Sequence, residues 1–171
     1  KSPEGKSQDT FPLHILGSIL GSGKTSRFYR NIIDRGLVMD VSVWDHPFHD
    51  NGLFVTYAFL TPETQPEKVE KLILDEYDSI QKDGVSEKEV ARAQSKIRAM
   101  TAFSRDGSYS IASHLNEAIA AGDWTLYTTY LERVMEITPE DVQRVAQKYL
   151  RESQRTVGHF IPATGSDEEK A

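Results

Sequence analysis

The sequence predicts an α+β domain, a two-layer sandwich in which a mostly antiparallel sheet carries helices on one main face. Three observations point to it. Two β-type runs, RGLVMDVSVW and GLFVTYAFL, stand either side of DHPFHDN, whose Pro47, Asn51 and Gly52 are turn residues. Almost everything from Thr64 to Leu150 repeats apolar residues at helical spacing, punctuated by Gly84 and Gly122. Strands and helices are segregated along the chain, which favours stacked layers over alternating βαβ units.

Taken in order, residues 1–9 (KSPEGKSQD) form a polar lead-in with Pro3 and Gly5 that suits a linker. Because the chain begins at Lys1 rather than methionine, it is expected to be a segment of a longer protein, with tag removal or processing as alternatives that give the same start. A single domain is expected over residues 10–162. Phe11 to Leu20 and Ser26 to Asp34 are expected helices, the second with Phe28, Ile32 and Ile33 on one side and Gly36 as its stop. In the second strand Leu53, Val55, Tyr57 and Phe59 share one face, while Phe54, Ala58 and Leu60 make the other apolar too, so both sides are expected to be covered.

Thr64 with Glu67 forms a capping-box pattern ahead of a stripe of Val69, Leu72, Ile73, Tyr77 and Ile80. Ser86 with Glu89 repeats the device for a helix reaching Phe103, and further helices are expected at Ser108 to Ala121 and Trp124 to Met135. Thr138-Pro139-Glu140-Asp141 then opens a helix with proline in its first turn and acids facing the dipole. A last strand is expected from Thr156 to Ile161, and residues 163–171 as a disordered tail. Three strands are few beneath this many helices, so the sheet is expected to lack an N-terminal strand or two.

Composition removes several functions. At 171 residues one core is the default. Lysine and arginine total 20 against 26 acids, a net charge of -6 with no basic stripe, which excludes nucleic acid as a partner. No cysteine is present, which removes disulfides, thiolate zinc sites and cysteine nucleophiles. No apolar run approaches the ~18 residues of a membrane span, and no signal-peptide pattern opens the chain. The chain is expected to be soluble, with bacterial periplasm and cytoplasm both open.

GSGKTSRFYR, residues 21–30, contains Gly23-Lys24-Thr25, the closing residues of a phosphate-binding loop. A Walker loop also needs a glycine at position 18 here and a buried strand to aim it. Position 18 is Ser18, and FPLHILGSIL reads as helix. Nucleotide binding is therefore a remote alternative. Asp45-His46-Pro47-Phe48-His49-Asp50 offers two imidazoles and two carboxylates, but on an irregular turn without the register that would converge them, so a solvated turn is expected. Ser104-Arg105-Asp106 and Ser108 have no histidine nearby to activate a serine. Tyr77, Trp124, Tyr127, Tyr130 and Tyr149 fall at helical spacings and are expected in helix packing.

Several segments together resemble one family. An apolar helix, a glycine loop, Ser26-Arg27-Phe28-Tyr29, then Arg35-Gly36-Leu37 entering a strand is similar to the "SRLY … GLAYSV" segment of the insulinase/pitrilysin-type zinc metallopeptidases. SEKEV from Ser86 resembles that family's helix start, and ITPEDVQRVAQKYL from Ile137 its closing helix. The resemblance implies a clamshell of repeated α/β domains with zinc on an H-x-x-E-H motif in the active half. Such a motif puts two histidines four apart on one helical face with the glutamate placed to activate water.

This chain has no copy of that motif: its nearest stretch is His114-Leu115-Asn116-Glu117-Ala118, with alanine at the second ligand. No catalytic residue and no metal ligand is therefore assigned, and the resemblance implies a non-catalytic domain, with zinc in a catalytic peptidase domain of the same polypeptide or of a partner subunit. Peptides are the implied substrates. The arginine and tyrosine with which such halves hold substrate fall here on Ile32 or Ile33 and on Met39. Gly21, Ser22, Gly23 and Lys24 are similar in position to the glycine-rich loop of the non-catalytic subunit of mitochondrial processing peptidase, which implies a peptide-contact loop; a plain helix-to-helix turn is the alternative. Ser26, Arg27, Tyr29 and Gly36 are implied structural positions of the family motif. The chain is thus expected to form part of a substrate-enclosing chamber, with a structural or assembly protein of the same fold as the rival reading.

Overall fold

The computed structural model describes residues 1–104 and 106–161. Its centre is helix α1, Thr10–Gly21. Phe11, Leu13, Ile15, Leu16, Ile19 and Leu20 are all buried, so this helix is apolar almost all round, the signature of a helix enclosed by other elements. On one side lies a hairpin of β1, Val38–His46, and β2, Leu53–Leu60. The other sides are covered by α3 (Glu87–Phe103), α5 (Leu126–Met135) and α6 (Pro139–Tyr149). The close approach of helix to strand depends on Gly21, where a Cβ would come within 2.8 Å of Val43 Cγ2 and 3.0 Å of its backbone nitrogen.

The hairpin is antiparallel, with Trp44 opposite Val55, Ser42 opposite Tyr57 and Asp40 opposite Phe59, and an irregularity between Val38 and Asp40. Alternation then assigns the faces. Val41, Val43, Phe54, Ala58 and Leu60 point to the core. Trp44, Leu53, Tyr57 and Phe59 lie on the opposite face and are 55%, 50%, 49% and 58% exposed. The expectation that both faces are covered is corrected: within this chain only the inner face is.

The architecture is α+β, with one antiparallel sheet and helices stacked on one side of it. The sheet has two strands among the described residues, and the expected strand from Thr156 to Ile161 does not form. That segment has strand-type residues but no neighbouring strand. It lies instead beside α2 (Pro66–Asp83), with His159 Nε2 3.0 Å from Glu70, and leaves Val157, Phe160 and Ile161 exposed.

Residues 1–9 are no free linker. Ser2 and Gly52 exchange backbone hydrogen bonds at 2.9 and 3.1 Å, the Gly5 amide donates to Phe48 O at 2.7 Å, and Glu4 bridges Asn51. Asp9 accepts from Arg144 at 2.6 Å, Lys148 at 2.7 Å and the Tyr149 hydroxyl at 2.8 Å, tying the lead-in to α6. The polar composition that suggests a linker serves a hydrogen-bonded strap.

Two of the expected caps form. Ser86 Oγ accepts from the Glu89 amide and Glu89 returns to Ser86 N at 2.9 Å; Thr138 and Asp141 do the same for α6. The Thr64 and Glu67 box does not. Thr64 bonds Thr61 Oγ1 at 2.7 Å, and α2 begins at Pro66, where the fixed φ of proline favours the first turn. The expected helix from Ser26 to Asp34 is instead a π-helical turn, Tyr29–Ile33, closed by Asp34 N to Tyr29 O at 2.8 Å and still burying Phe28 and Ile32. α4 spans Ser108–Ala120 and ends before Gly122, whose φ is +100. Trp124, expected in packing, is 60% exposed.

Candidate functional site

The glycine loop joins the C-terminal end of α1 to the π turn and lies against α3. Ser22 N still donates to Ser18 O at 3.1 Å, and Ser26 N closes a turn onto Gly23 O at 3.0 Å. Gly23 takes φ +76, a left-handed conformation that L side chains rarely adopt. The loop and α3 enclose a small cleft of about 170 Å³. Of the expected peptide-contact residues, Ser22, Gly23 and Lys24 line it. Gly21 does not; its place is the helix-strand contact with Val43.

Arg27 anchors the loop from behind. Its Nε donates to Glu89 Oε1 at 2.8 Å and its Nη2 to Glu89 Oε2 at 3.2 Å and Gly84 O at 3.3 Å, while Nη1 stands 3.7 Å from Glu76. One guanidinium thus ties the loop to the end of α2 and the start of α3. Burial would raise the Glu89 carboxyl, but the bonds from Arg27 and Ser86 override it and hold it at about 2. Ser26 is buried and accepts from the Tyr29 amide at 3.3 Å. Gly36 at φ +69 turns the chain into β1. These motif residues have structural partners.

No catalytic zinc site fits the described residues, among which no group of three or more histidine and carboxylate side chains could hold a metal ion. His114 is exposed on α4 with Nδ1 2.9 Å from its own helix carbonyl at Ser110, and Ala118 offers no ligand. In the hairpin turn His46 stacks on Trp44, its ring centroid 6.4 Å away, and His49 leans on Asp50 at 3.5 Å, so the two imidazoles have separate partners. Arg105 and residues 162–171, with the expected tail, lie outside the described residues.

One polar cluster escaped the sequence reading. His14 on α1 approaches Tyr130 Oη at 3.0 Å through Nδ1 and Asp45 Oδ2 at 3.5 Å through Nε2. Burial pushes the His14 imidazole down, opposed by the Asp45 charge, and pushes the Asp45 carboxyl up, opposed by His14. The Ser2 hydroxyl beside Asp45 also opposes that rise, although neither Ser2 Oγ nor Asp45 Oδ1, both buried, reaches hydrogen-bond geometry. The available signal was strand alternation, which turns Asp45 inward when Trp44 turns outward.

The fold has counterparts in known proteins. The inactive peptidase domain of a proposed zinc protease from Bordetella parapertussis superposes with a TM-score of 0.85 at 28% identity, covering 98% of this chain and 89% of that one. An uncharacterised zinc protease of Streptomyces coelicolor is 28% identical over 138 residues, 80% of this chain and 30% of that protein. The human mitochondrial-processing peptidase subunit alpha is 26% identical over 157 residues, 84% of this chain and 30% of that subunit. This chain therefore spans about a third of the length of these curated relatives. The family described as Peptidase M16 inactive domain matches residues 1–97, and the chain belongs to it.

Proposed function

We propose that the chain is a non-catalytic wall of a zinc peptidase, enclosing extended peptides for hydrolysis at zinc held in a companion domain or a partner chain. The observation that carries this reading is the outer face of the hairpin. Trp44, Leu53, Tyr57 and Phe59 form an apolar surface on an inactive peptidase domain, the kind of patch that marks a contact with another protein body. A companion domain covers that face in the assembled protein, and the glycine loop works at the edge of the enclosed space.

The test uses the parent protein, and the turn closed by Ser26 N and Gly23 O defines the substitution. Lys24 is its second residue, the position at which proline is favoured, so Lys24→Pro stiffens the loop and Lys24→Ala removes the same charge without stiffening it. Lys24→Pro is expected to slow cleavage of long peptides more than short ones, beyond any effect of Lys24→Ala, with zinc content and folding unchanged. Equal cleavage by both variants would leave the loop a mere turn. An intact parent inactive with any partner would move the chain to the assembly reading.

A further inference from the structure

Lys24, Arg92 and Lys96 meet on the cleft of about 170 Å³ beside the glycine loop. None of them has a carboxylate partner among the described residues; Arg92 makes one long contact, 3.5 Å to Thr25 O. The single carboxylate on the wall, Glu89, is already held by Arg27 at 2.8 Å and by Ser86 N at 2.9 Å. The cleft is therefore a concentration of unmatched positive charge on a chain whose net charge is -6. A Cβ on Gly23 would stand 2.9 Å from Lys96 Nζ, so glycine leaves the ammonium room over the loop. The amides of Gly23, Lys24 and Thr25 and the hydroxyls of Ser22 and Thr25 donate to no acceptor among the described residues.

We propose that this cleft binds one carboxylate of an extended peptide, from an Asp or Glu side chain or from the chain terminus, a proposal that rests on the wall reading above. Size excludes a nucleotide, since cofactor-sized ligands fill pockets of roughly 300 Å³ or more and this cleft suits one side chain. Coulomb attraction alone does not separate a carboxylate from a phosphate in this net-positive cleft, so inorganic phosphate enters the test as the competing anion. The ammonium groups and free amides match the acceptor-only oxygens of a carboxylate.

The test is anisotropy of labelled ten-residue peptides on this chain, with Glu, Gln or Lys at one central position and a free or amidated C-terminus. The Glu peptide is expected to bind about tenfold more tightly than the Gln peptide at low salt, with the Lys peptide weakest and the preference shrinking as salt rises. Loss of binding on amidation assigns the terminal carboxylate, and indifference to amidation assigns the side chain. Lys24→Ala with Lys96→Ala should erase the difference between Glu and Gln while the unfolding curve holds, because Lys24 is exposed and Lys96 is partly so. Equal binding of all peptides with free and amidated termini alike, tighter binding of the Lys peptide, a preference that survives the double variant, or inorganic phosphate bound where no peptide binds would each overturn it. If the charge preference holds while Lys24→Pro leaves long-peptide cleavage untouched in the parent, enclosure fails and this site stands.

Discussion

Arg27 and Glu89 are joined twice, Nε to Oε1 at 2.8 Å and Nη2 to Oε2 at 3.2 Å, and the same carboxylate caps α3 through Ser86. Both side chains are mostly shielded, at 14% and 16% exposure. Removing one partner strands the other, so Arg27→Ala or Glu89→Gln should cost about 2–4 kcal/mol at neutral pH. The folded carboxyl is lowered from 4.5 to about 2. Its stabilisation is therefore complete above the unfolded value and fades as the pH falls through the folded one. Urea unfolding at pH 7, 4 and 3 should show Glu89→Gln approaching the parent chain as acid rises. A constant difference at all three values would refute the pair as its source.

Asp9 makes the same argument for the lead-in. Burial raises its carboxyl, the bonds from Lys148, Arg144 and Tyr149 more than offset this, and the result is about 2 against an ordinary 3.8. Asp9→Asn should destabilise by roughly 2 kcal/mol at neutral pH, a penalty that disappears as the pH falls through 3.8 towards 2. Deleting residues 1–9 should cost more, since the bonds from Ser2 and Gly5 to the hairpin turn go too. An unfolding midpoint unchanged by the deletion would return these residues to a linker.

What the sequence made legible divides along physical lines. Helices with local signals were readable, because Ser86 with Glu89 and Thr138 with Asp141 fix their boundaries within a single turn. The third strand was not, because Thr156 to Ile161 has the composition of a strand and composition cannot report whether a partner strand lies alongside. The lead-in was misread for a related reason: Asp9 finds its cations on α6, far along the chain. At the candidate site the loop was visible as GSGK, but its charge was not. Arg92 and Lys96 belong to a helix whose periodicity says only that one face is solvated, and folding sets them against Lys24.

The two loop glycines should respond differently to substitution. Gly21→Ala forces a methyl against Val43, including its backbone, and should cost about 1–3 kcal/mol. Gly23→Ala meets only the flexible tip of Lys96, and its cost, roughly 1–2 kcal/mol, comes from the positive φ. Thermal unfolding of both variants checks this. A Gly21→Ala variant as stable as the parent chain would contradict the close packing of α1 on β1.

The near-Walker sequence should not bind nucleotide. Ser18 lies inside α1, so a helix stands where a phosphate loop needs a strand, and the cleft is too small for a nucleoside triphosphate. Titration with magnesium-ATP is expected to give no saturable signal. A saturable affinity abolished by Lys24→Ala would restore the nucleotide reading.

The hairpin offers the sharpest separation between folding and assembly, because its two faces alternate residue by residue. Val41 is buried on the core face, and Val41→Ser should cost about 2–4 kcal/mol in this chain. Tyr57 and Phe59 share the exposed face, so Tyr57→Ser with Phe59→Ser should change the stability of the isolated chain by only about 0.5 kcal/mol per site. In the parent protein the same double variant removes apolar area from the proposed contact with the companion domain. Limited proteolysis of the parent should then cut between the domains faster, and cleavage of long peptides should fall. Loss of stability in the isolated chain would mean the outer face is folded against something within it. Unchanged proteolysis and unchanged cleavage in the parent would mean that no companion rests there, and the wall would have to be built on another surface.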